Sequence, residues 1–552
     1  MCKNNVASEG SEAKAQNLNK NNKRCVVSGK LQTEFNRILV PKNVQKQVIK
    51  AHNPSPKPKF GGEVEVMLMH PPKDGQCEPV GYKAEAGKAG MQDFFTEMTD
   101  SKKFHSAKDI DGQDVLLHGD DKSVLCFENY AAVIERADRA YDQENGLSQF
   151  ALSVDSFVGK VSQFAQKNDF VINPFDFDVF CPKESFEGKN APSDRFGDDG
   201  LLSQYDDNHP LTDDIDRRTT SAHFSVGYKD MNHLWRQTRI LTMLVPGLYA
   251  AFAGAPPTVE VEKDGQKTIL PKKDALEALD AGEDIKIGDQ LLVPRAHLWT
   301  LSDPERTGIN PKVAELVCDQ YGDFGKYINA IMDMEVILYG QPEEKRTFTD
   351  YVKDKYADSP RSGMSTDDYM SHVSTLWYDV RIDLIRTEAR MAGHTPWKSK
   401  AVGALLSTIL LNDDAMDQVE QYLDDLKLKP QDILDARANV GRDGLKTQMG
   451  GPEKTVQEIL KQVTEIATTA IKPENKKLLE PLQTVLKLGK SDSDILAEME
   501  LELGGDYTPF LQLDYAALKP FVQMKQEGQL DFAKAQSQAP TQTQSKKTAF
   551  RR

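Results

Sequence analysis

Two kinds of apolar spacing share this chain. Between residue 61 and about residue 410, short runs such as "EVEVMLM", "KSVLCFEN", "FDFDVFC", "TTSAHFSVG" and "DMEVILYG" are apolar at every second position or throughout. They predict strands. Interleaved with them, "GLSQFALSVDSFVGKVSQFAQK", "DMNHLWRQTRILTMLV" and "TDDYMSHVSTLW" space their apolar residues three and four apart, as a helix with one buried face does. The order is irregular, which predicts an α+β domain rather than repeating βαβ units. "TVEVEKDGQKTIL" alternates on both sides of Asp264-Gly265 and predicts a hairpin. Beyond about residue 410 the helical period takes over ("DAMDQVEQYLDDLKL", "TVQEILKQVTEIATTAI", "DSDILAEMELEL"), with breaks at Pro430, Gly450-Gly451-Pro452 and Pro473.

The polar stretches divide the chain. Residues 1–58 close on the proline-spaced "NPSPKPK", and the last residues, "AKAQSQAPTQTQSKKTAFRR", are poor in apolar side chains. The expected division is a disordered segment over 1–58, a mixed domain over 59–410, a helical region over 411–530 and a disordered tail over 531–552. The uncharged run "ILTMLVPGLYAAFAGAPP" contains Pro246, ends in Pro256-Pro257 and barely reaches the roughly 20 residues of a membrane span. It predicts a helix buried under a sheet.

Composition narrows the function. A chain of 552 residues can bury a large core, and 69 Lys plus Arg against 85 Asp plus Glu, a net charge of −16, disfavours nucleic acid and anionic lipid as partners. The six cysteines show no CxxC spacing, so neither a zinc site nor a secreted disulfide framework is indicated. The first 24 residues lack the apolar stretch of a secretory signal, and the expectation is a cytoplasmic protein.

The sharpest chemical question lies in "FGGEVEVMLM". Strand side chains alternate, so Glu63 and Glu65 share one face while Val64 and Val66 share the other. Facing water, the pair would be an ordinary solvated edge; facing a cavity, two like charges need a cation between them. Three other strand-like segments carry ionisable groups. Glu135 follows Glu128 in "VLCFENYAAVIERA", His223 lies within "RRTTSAHFSVGY", and Arg386, Glu388 and Arg390 alternate in "VRIDLIRTEARMAG". Each taken singly fits a structural histidine or a surface salt-bridge ladder. Together, an acid flanked by two guanidinium groups and several further acids could hold a divalent metal and the phosphates it neutralises.

"STDDYMSHVSTLWYDVRIDLI" and "RTEARMAG", read together, resemble the glutamate–cysteine ligase and carboxylate–amine ligase family. The family's pattern is an Asp, a later His, a Trp or Phe before Val-Arg, and a strand carrying Glu-x-Arg; those places are Asp368, His372, Trp377, Arg381, Glu388 and Arg390. "FGGEVEVMLM" is similar to its first strand. "TTSAHFSVGYKDMNHLWRQTRILTMLVPGLYAAFAGAPP" is similar to its ligand strand, long helix and small-residue turn, with His223 in the ligand position. "VPRAHLWTLSDPERTGINP" is similar to its substrate loop, placing Arg295, Trp299, Asp303 and Arg306. The resemblance covers roughly residues 60 to 410. Departures are "FENYAAVIERA" where a glycine-rich acidic block is usual, "ARMAGHTPW" where an Asp is common, an insertion over 258–292, and C-terminal helices without a counterpart.

The resemblance implies a glutamine-synthetase-like fold: a curved antiparallel sheet with flanking helices, extended here by the C-terminal helical region. It implies an ATP-dependent ligase that phosphorylates the γ-carboxylate of L-glutamate and passes it to an amine, with cysteine favoured. By the same resemblance Glu63, Glu65, Glu135, His223 and Glu388 bind Mg²⁺, with Mn²⁺ as the alternative. Arg390 and Arg386 serve ATP and the transferring phosphoryl group; Arg295, Arg306 and Arg381 hold substrate carboxylates. Two other outcomes stay open: a non-catalytic relative that binds nucleotide, or a protein through its C-terminal helices; and a ligase or phosphotransferase acting on a protein recruited by the polar termini and the 258–292 insertion.

Overall fold

The computed structural model describes residues 51–532 apart from internal stretches, of which the longest are 188–214, 337–345 and 357–365. Of the disorder expected over 1–58 and 531–552, residues 1–50 and 533–552 lie outside the described residues, whereas the segment just before Lys59 packs on the domain: His52 is buried and Asn53 N donates to the Leu384 carbonyl at 2.8 Å. Immediately after the proline-spaced segment the chain forms the strand β1 (Lys59–Met69). It pairs antiparallel with β5 (Val133–Ala137) on one side and β8 (Ala222–Val226) on the other.

Around this centre stand β2 (Phe104–Lys108), β3 (Asp114–His118), β4 (Val124–Phe127), β14 (Val380–Ile382) and β15 (Thr387–Ala392). The sheet runs β14-β15-β8-β1-β5-β4-β3-β2, with β6 (Tyr141–Asp142) and β7 (Val171–Ile172) paired to the ends of β1, and all these pairings are antiparallel. The expected mixed fold of antiparallel sheet and flanking helices is the observed one.

The even positions of β1 face the core. Phe60 stacks on Phe224 at 5.6 Å between ring centroids, and both meet Phe150 edge-on from helix α1 (Gly146–Lys167). Gly62 has no room for a side chain there: a Cβ would come within 2.8 Å of the Phe150 ring. The predicted buried helix is α2 (Met231–Ala251), capped by the Asp230 carboxylate accepting from His233 N and packed against β14 and β15. Among the described residues no helix is long and apolar enough to cross a membrane.

The strand expected at "FDFDVFC" does not form. Asp178 accepts from Phe180 N and Cys181 N at 3.1 and 3.0 Å, and these local bonds replace a ladder, leaving only the bridge between Phe177 and Thr219. Of "DMEVILYG", Glu335 bridges Thr347 and the part from residue 337 lies outside the described residues.

The insertion is a small unit of its own. β9 (Thr258–Lys263) and β10 (Gln266–Pro271) turn at Asp264 and Gly265, both at positive φ (53° and 77°), as a two-residue hairpin requires. β11 (Lys286–Leu291) pairs with β9, and Val259, Val261, Ala275 and Ile285 fill the space beneath. It leads into α3 (Pro294–Ser302); β12 (Thr307–Gly308) and β13 (Trp377–Tyr378) form a short parallel pair.

Helix α4 (Pro396–Leu411) is buried almost throughout and follows β15 directly. Beyond it lie α5 (Asp413–Asp425), α6 (Pro430–Asp443), α7 (Val456–Ala470) and α8 (Asp492–Leu503). Their apolar residues, among them Val419, Ile433, Val463 and Leu496, belong to the same continuous core as Val64 and Phe224.

Candidate functional site

The odd positions of β1 look away from that core, and register decides what they meet. Glu63 stands opposite His223 of β8, and Glu65 opposite Glu135 of β5. On the next strand Glu388 lies opposite Ser225, and Arg381 of β14 lies opposite Glu388. The metal-ligand residues expected from the sequence are thus brought onto one sheet face, and none exposes more than 6 % of its surface.

The contacts are close. His223 Nδ1 lies 3.2 Å from Glu63 Oε2, and its Nε2 lies 2.8 Å from Ser221 Oγ and 3.7 Å from Glu65 Oε1. Ser221 donates its backbone N–H and its hydroxyl to Glu65, at 2.6 and 3.0 Å. Sequence reasoning passed over Ser221, although its place two residues before His223, at the entry to β8, puts it on this same face.

Glu388 is ringed by guanidinium groups: Arg381 Nη2 at 2.6 Å, Arg390 Nη1 at 2.5 Å and Arg386 Nη2 at 3.3 Å. Arg386 also reaches Asp383 at 3.0 Å and Glu63 at 3.4 Å.

Burial alone would raise every carboxyl in this cluster. At Glu388 it is overridden by Arg381, Arg390 and Arg386, which hold the group well below the usual carboxylate range. At Glu63 the His223 hydrogen bond and the Arg386 charge do the same. Glu65 goes the other way, pushed up to about 8 by burial and by the charge of Glu128. Burial, Glu63 and Glu128 also push Glu135 well above its ordinary value. Burial and the Arg390 charge lower His223 to about 4, so its imidazole is neutral and able to act as a ligand.

This face therefore splits into a half saturated with arginine and a half short of positive charge. Glu63, His223 and Glu388 each offer one ligand atom, as do Glu65, Glu135 and His223, and within each group these atoms lie within 4.8 Å of one another. Glu135 Oε2 is buried without a hydrogen-bond partner. Carboxylate oxygens with one imidazole suit Mg²⁺ or Mn²⁺, and the partnerless oxygen fits a cation there.

The remaining arginines are placed differently. Arg295, on α3, is buried, donates Nη1 to the Arg390 carbonyl at 2.9 Å, and keeps its Nε without a partner. Arg306 donates to Thr375 at 3.2 Å and to the Glu335 carbonyl, and lies 3.8 Å from Asp303. Arg381 is engaged by Glu388. Beside Glu63 and Arg386 opens a cleft of about 330 Å³, lined also by Lys57, Lys59, Ser225 and Tyr228.

No protein-family model matches the chain. It is 26 % identical to the chloroplastic glutamate–cysteine ligase of Medicago truncatula over 216 residues, which make up 37 % of this chain and 40 % of that protein. It is 24 % identical to the chloroplastic enzyme of Arabidopsis thaliana over 214 residues, 37 % of this chain and 39 % of that one. The chain thus spans about two fifths of the length of the relatives it matches. Among solved structures it is similar to a glutamate–cysteine ligase of Francisella tularensis in complex with AMP, with a TM-score of 0.44 and 12 % identity over 83 % of this chain and 88 % of that one. Over these stretches the chain is similar in sequence to glutamate–cysteine ligases.

Proposed function

We propose that the protein is an ATP-dependent carboxylate–amine ligase that phosphorylates the γ-carboxylate of L-glutamate and couples it to an amine, with cysteine the favoured partner. The observation that carries this reading is the single sheet face on which Glu63, Glu65, Glu135 and His223 border Glu388 and its three arginines. Phosphoryl transfer between two anions needs such a face, because the polyphosphate and the incoming carboxylate repel one another unless fixed positive charge offsets them.

Glu63, His223 and Glu388 on one side, and Glu65, Glu135 and His223 on the other, would hold divalent cations. When bound, Mg²⁺ would neutralise phosphate oxygens and orient them for in-line transfer. Arg386, at the edge of the cleft, and Arg390 are placed to meet the transferring phosphoryl group with fixed guanidinium donors. The cleft between β1 and the β14–β15 turn would take the nucleotide, Lys57 and Lys59 being among the residues that line it. Of the three arginines proposed for substrate carboxylates, Arg295 is the best placed, since its Nε has no internal partner while Arg306 and Arg381 are engaged by protein groups.

ADP release from ATP and Mg²⁺ tests the reading, measured with L-glutamate, with and without a panel of amines headed by L-cysteine, and with Glu388→Ala as control. Turnover that needs glutamate plus one amine and vanishes in the control supports it and names the second substrate. ATP binding without turnover for any pair sinks it, and moves the function to a protein acceptor or a non-catalytic role.

A further inference from the structure

We infer that Arg437, supplied by the C-terminal helical region, is a positioning residue for the substrate-holding side of the site, a claim that rests on the ligase reading for its kinetic consequence. Arg437 lies on α6, is buried, and makes no contact with the carboxylates of β1. Its Nε and Nη2 grip Asp379 in a two-pronged pair at 2.5 and 3.2 Å. Its Nη1 donates to the Ala296 carbonyl at 2.8 Å and to Thr300 Oγ1 at 3.0 Å, both on α3.

Each of those partners leads directly to an arginine of the proposed site. Asp379, through its carbonyl, accepts from Arg390 N at 3.1 Å. Ala296 is the residue after Arg295, and Arg295 donates back to the Arg390 carbonyl at 2.9 Å. The circuit Arg437, α3, Arg295, Arg390, Asp379 therefore closes on itself. Tyr249 fills its middle: its hydroxyl donates to Asp379 at 2.7 Å, and its ring lies 4.4 Å from the Arg437 guanidinium and 5.8 Å from that of Arg295.

Only a planar fork can serve two elements at once in this way. Lysine keeps the charge but has one donor point, and cannot hold Asp379 bidentately while reaching α3. Without Arg437, Asp379 would be a buried anion short of a guanidinium partner beneath Arg295 and the Arg390 backbone, and Arg295 must be fixed within a fraction of an ångström to hold a substrate carboxylate. The C-terminal helices are thereby part of the site's geometry, although they lie outside the region of resemblance.

The test uses the full chain with two variants, Arg437→Lys and the charge-neutral double variant Arg437→Gln/Asp379→Asn, the second avoiding an unpaired buried charge. The expected result in both is a KM for L-glutamate raised about tenfold, a KM for ATP within about twofold of wild type, and faster amide exchange over residues 294–302, with β1 and β8 unchanged. Unchanged glutamate KM together with unchanged exchange over 294–302 would overturn the inference. If wild type turns over no acid and amine pair, the ligase reading fails by itself, and the exchange at 294–302 decides whether Arg437 positions α3.

Discussion

His223 stands between the two carboxylates of β1, its Nδ1 3.2 Å from Glu63 and its Nε2 3.7 Å from Glu65. The imidazole belongs to both candidate ligand groups, so the two cation positions would share a wall. The paired glutamates of "FGGEVEVMLM" are therefore interior groups, not a solvated edge.

Glu135 is the position least able to bear a negative charge in this arrangement, since it faces Glu65 across the β1–β5 register, leaves Oε2 without a partner, and is pushed well above its ordinary value by burial, Glu63 and Glu128. Removing that charge relieves repulsion in the metal-free protein and deletes a ligand in the loaded one. Glu135→Gln is expected to melt at or above the wild-type temperature in EDTA, and to lose most of the Tm rise that millimolar Mg²⁺ gives wild type. Thermal melts with and without Mg²⁺ decide it: a variant that retains the full Mg²⁺ response excludes Glu135 as a ligand.

Glu388 predicts the opposite. It is the shared anion of Arg381, Arg386 and Arg390, and its loss leaves buried guanidinium groups facing one another. Glu388→Gln is expected to cost about 3–5 kcal/mol of stability, the usual penalty for breaking a buried pair from one side. Urea unfolding in EDTA measures it; a loss below about 1 kcal/mol, the scale of an exposed pair, would mean that the arginines find other anions.

Acid stability also draws on histidines away from the carboxylate cluster. His394 accepts from Thr220 at Nδ1 and donates from Nε2 to the Asn173 carbonyl, an arrangement that holds it neutral. Burial lowers both His394 and His372 to about 3. An unfolded chain protonates a histidine near pH 6.5, so the stability these residues contribute is full above that pH and is lost as pH falls toward 3. Each withdraws up to about 1.4 kcal/mol per pH unit in that window. Denaturation between pH 7.5 and 5 should show a shallower slope in His372→Gln than in wild type, and parallel slopes would refute the claim.

How much of this was legible depends on whether a contact is local in sequence. The common face of Glu63 and Glu65, and the alternation of Arg386, Glu388 and Arg390, follow from strand geometry alone, and the hairpin at Asp264-Gly265 from turn chemistry. The pairing of Glu65 with Glu135 and of Glu63 with His223 is set by register between strands about 70 and 160 residues apart, which no local pattern encodes. Arg437 was invisible for the same reason, since on α6 it reads as one more charge on an amphipathic helix while its partner Asp379 lies 58 residues away. The failed strand at "FDFDVFC" shows the converse: its aspartates space the apolar residues like a strand, yet Asp178 binds the local amides of Phe180 and Cys181 while Asp176 accepts from the distant Gly254 N.

Arg386 offers the cleanest separation of chemistry from folding. Its side chain is 28 % exposed at the edge of the cleft, whereas those of Arg381 and Arg390 are 7 % and 8 % exposed. Its Nε binds Asp383 at 3.0 Å, and its two terminal nitrogens reach Glu63 at 3.4 Å and Glu388 at 3.3 Å. A lysine at this position can keep one of these contacts but not the fork, and the half-open setting lets water satisfy what is left. Arg386→Lys is therefore expected to melt within a few degrees of wild type, while kcat falls about 10²–10³-fold, the range for removing one preorganised donor from a developing charge. The KM for ATP should rise as well, because the same guanidinium lines the cleft. Steady-state kinetics in ATP and in L-glutamate, with a melt on the same preparation, separate the cases. A variant that melts normally and keeps kcat within about threefold of wild type would remove Arg386 from the phosphoryl-transfer machinery and leave Arg390 to carry it.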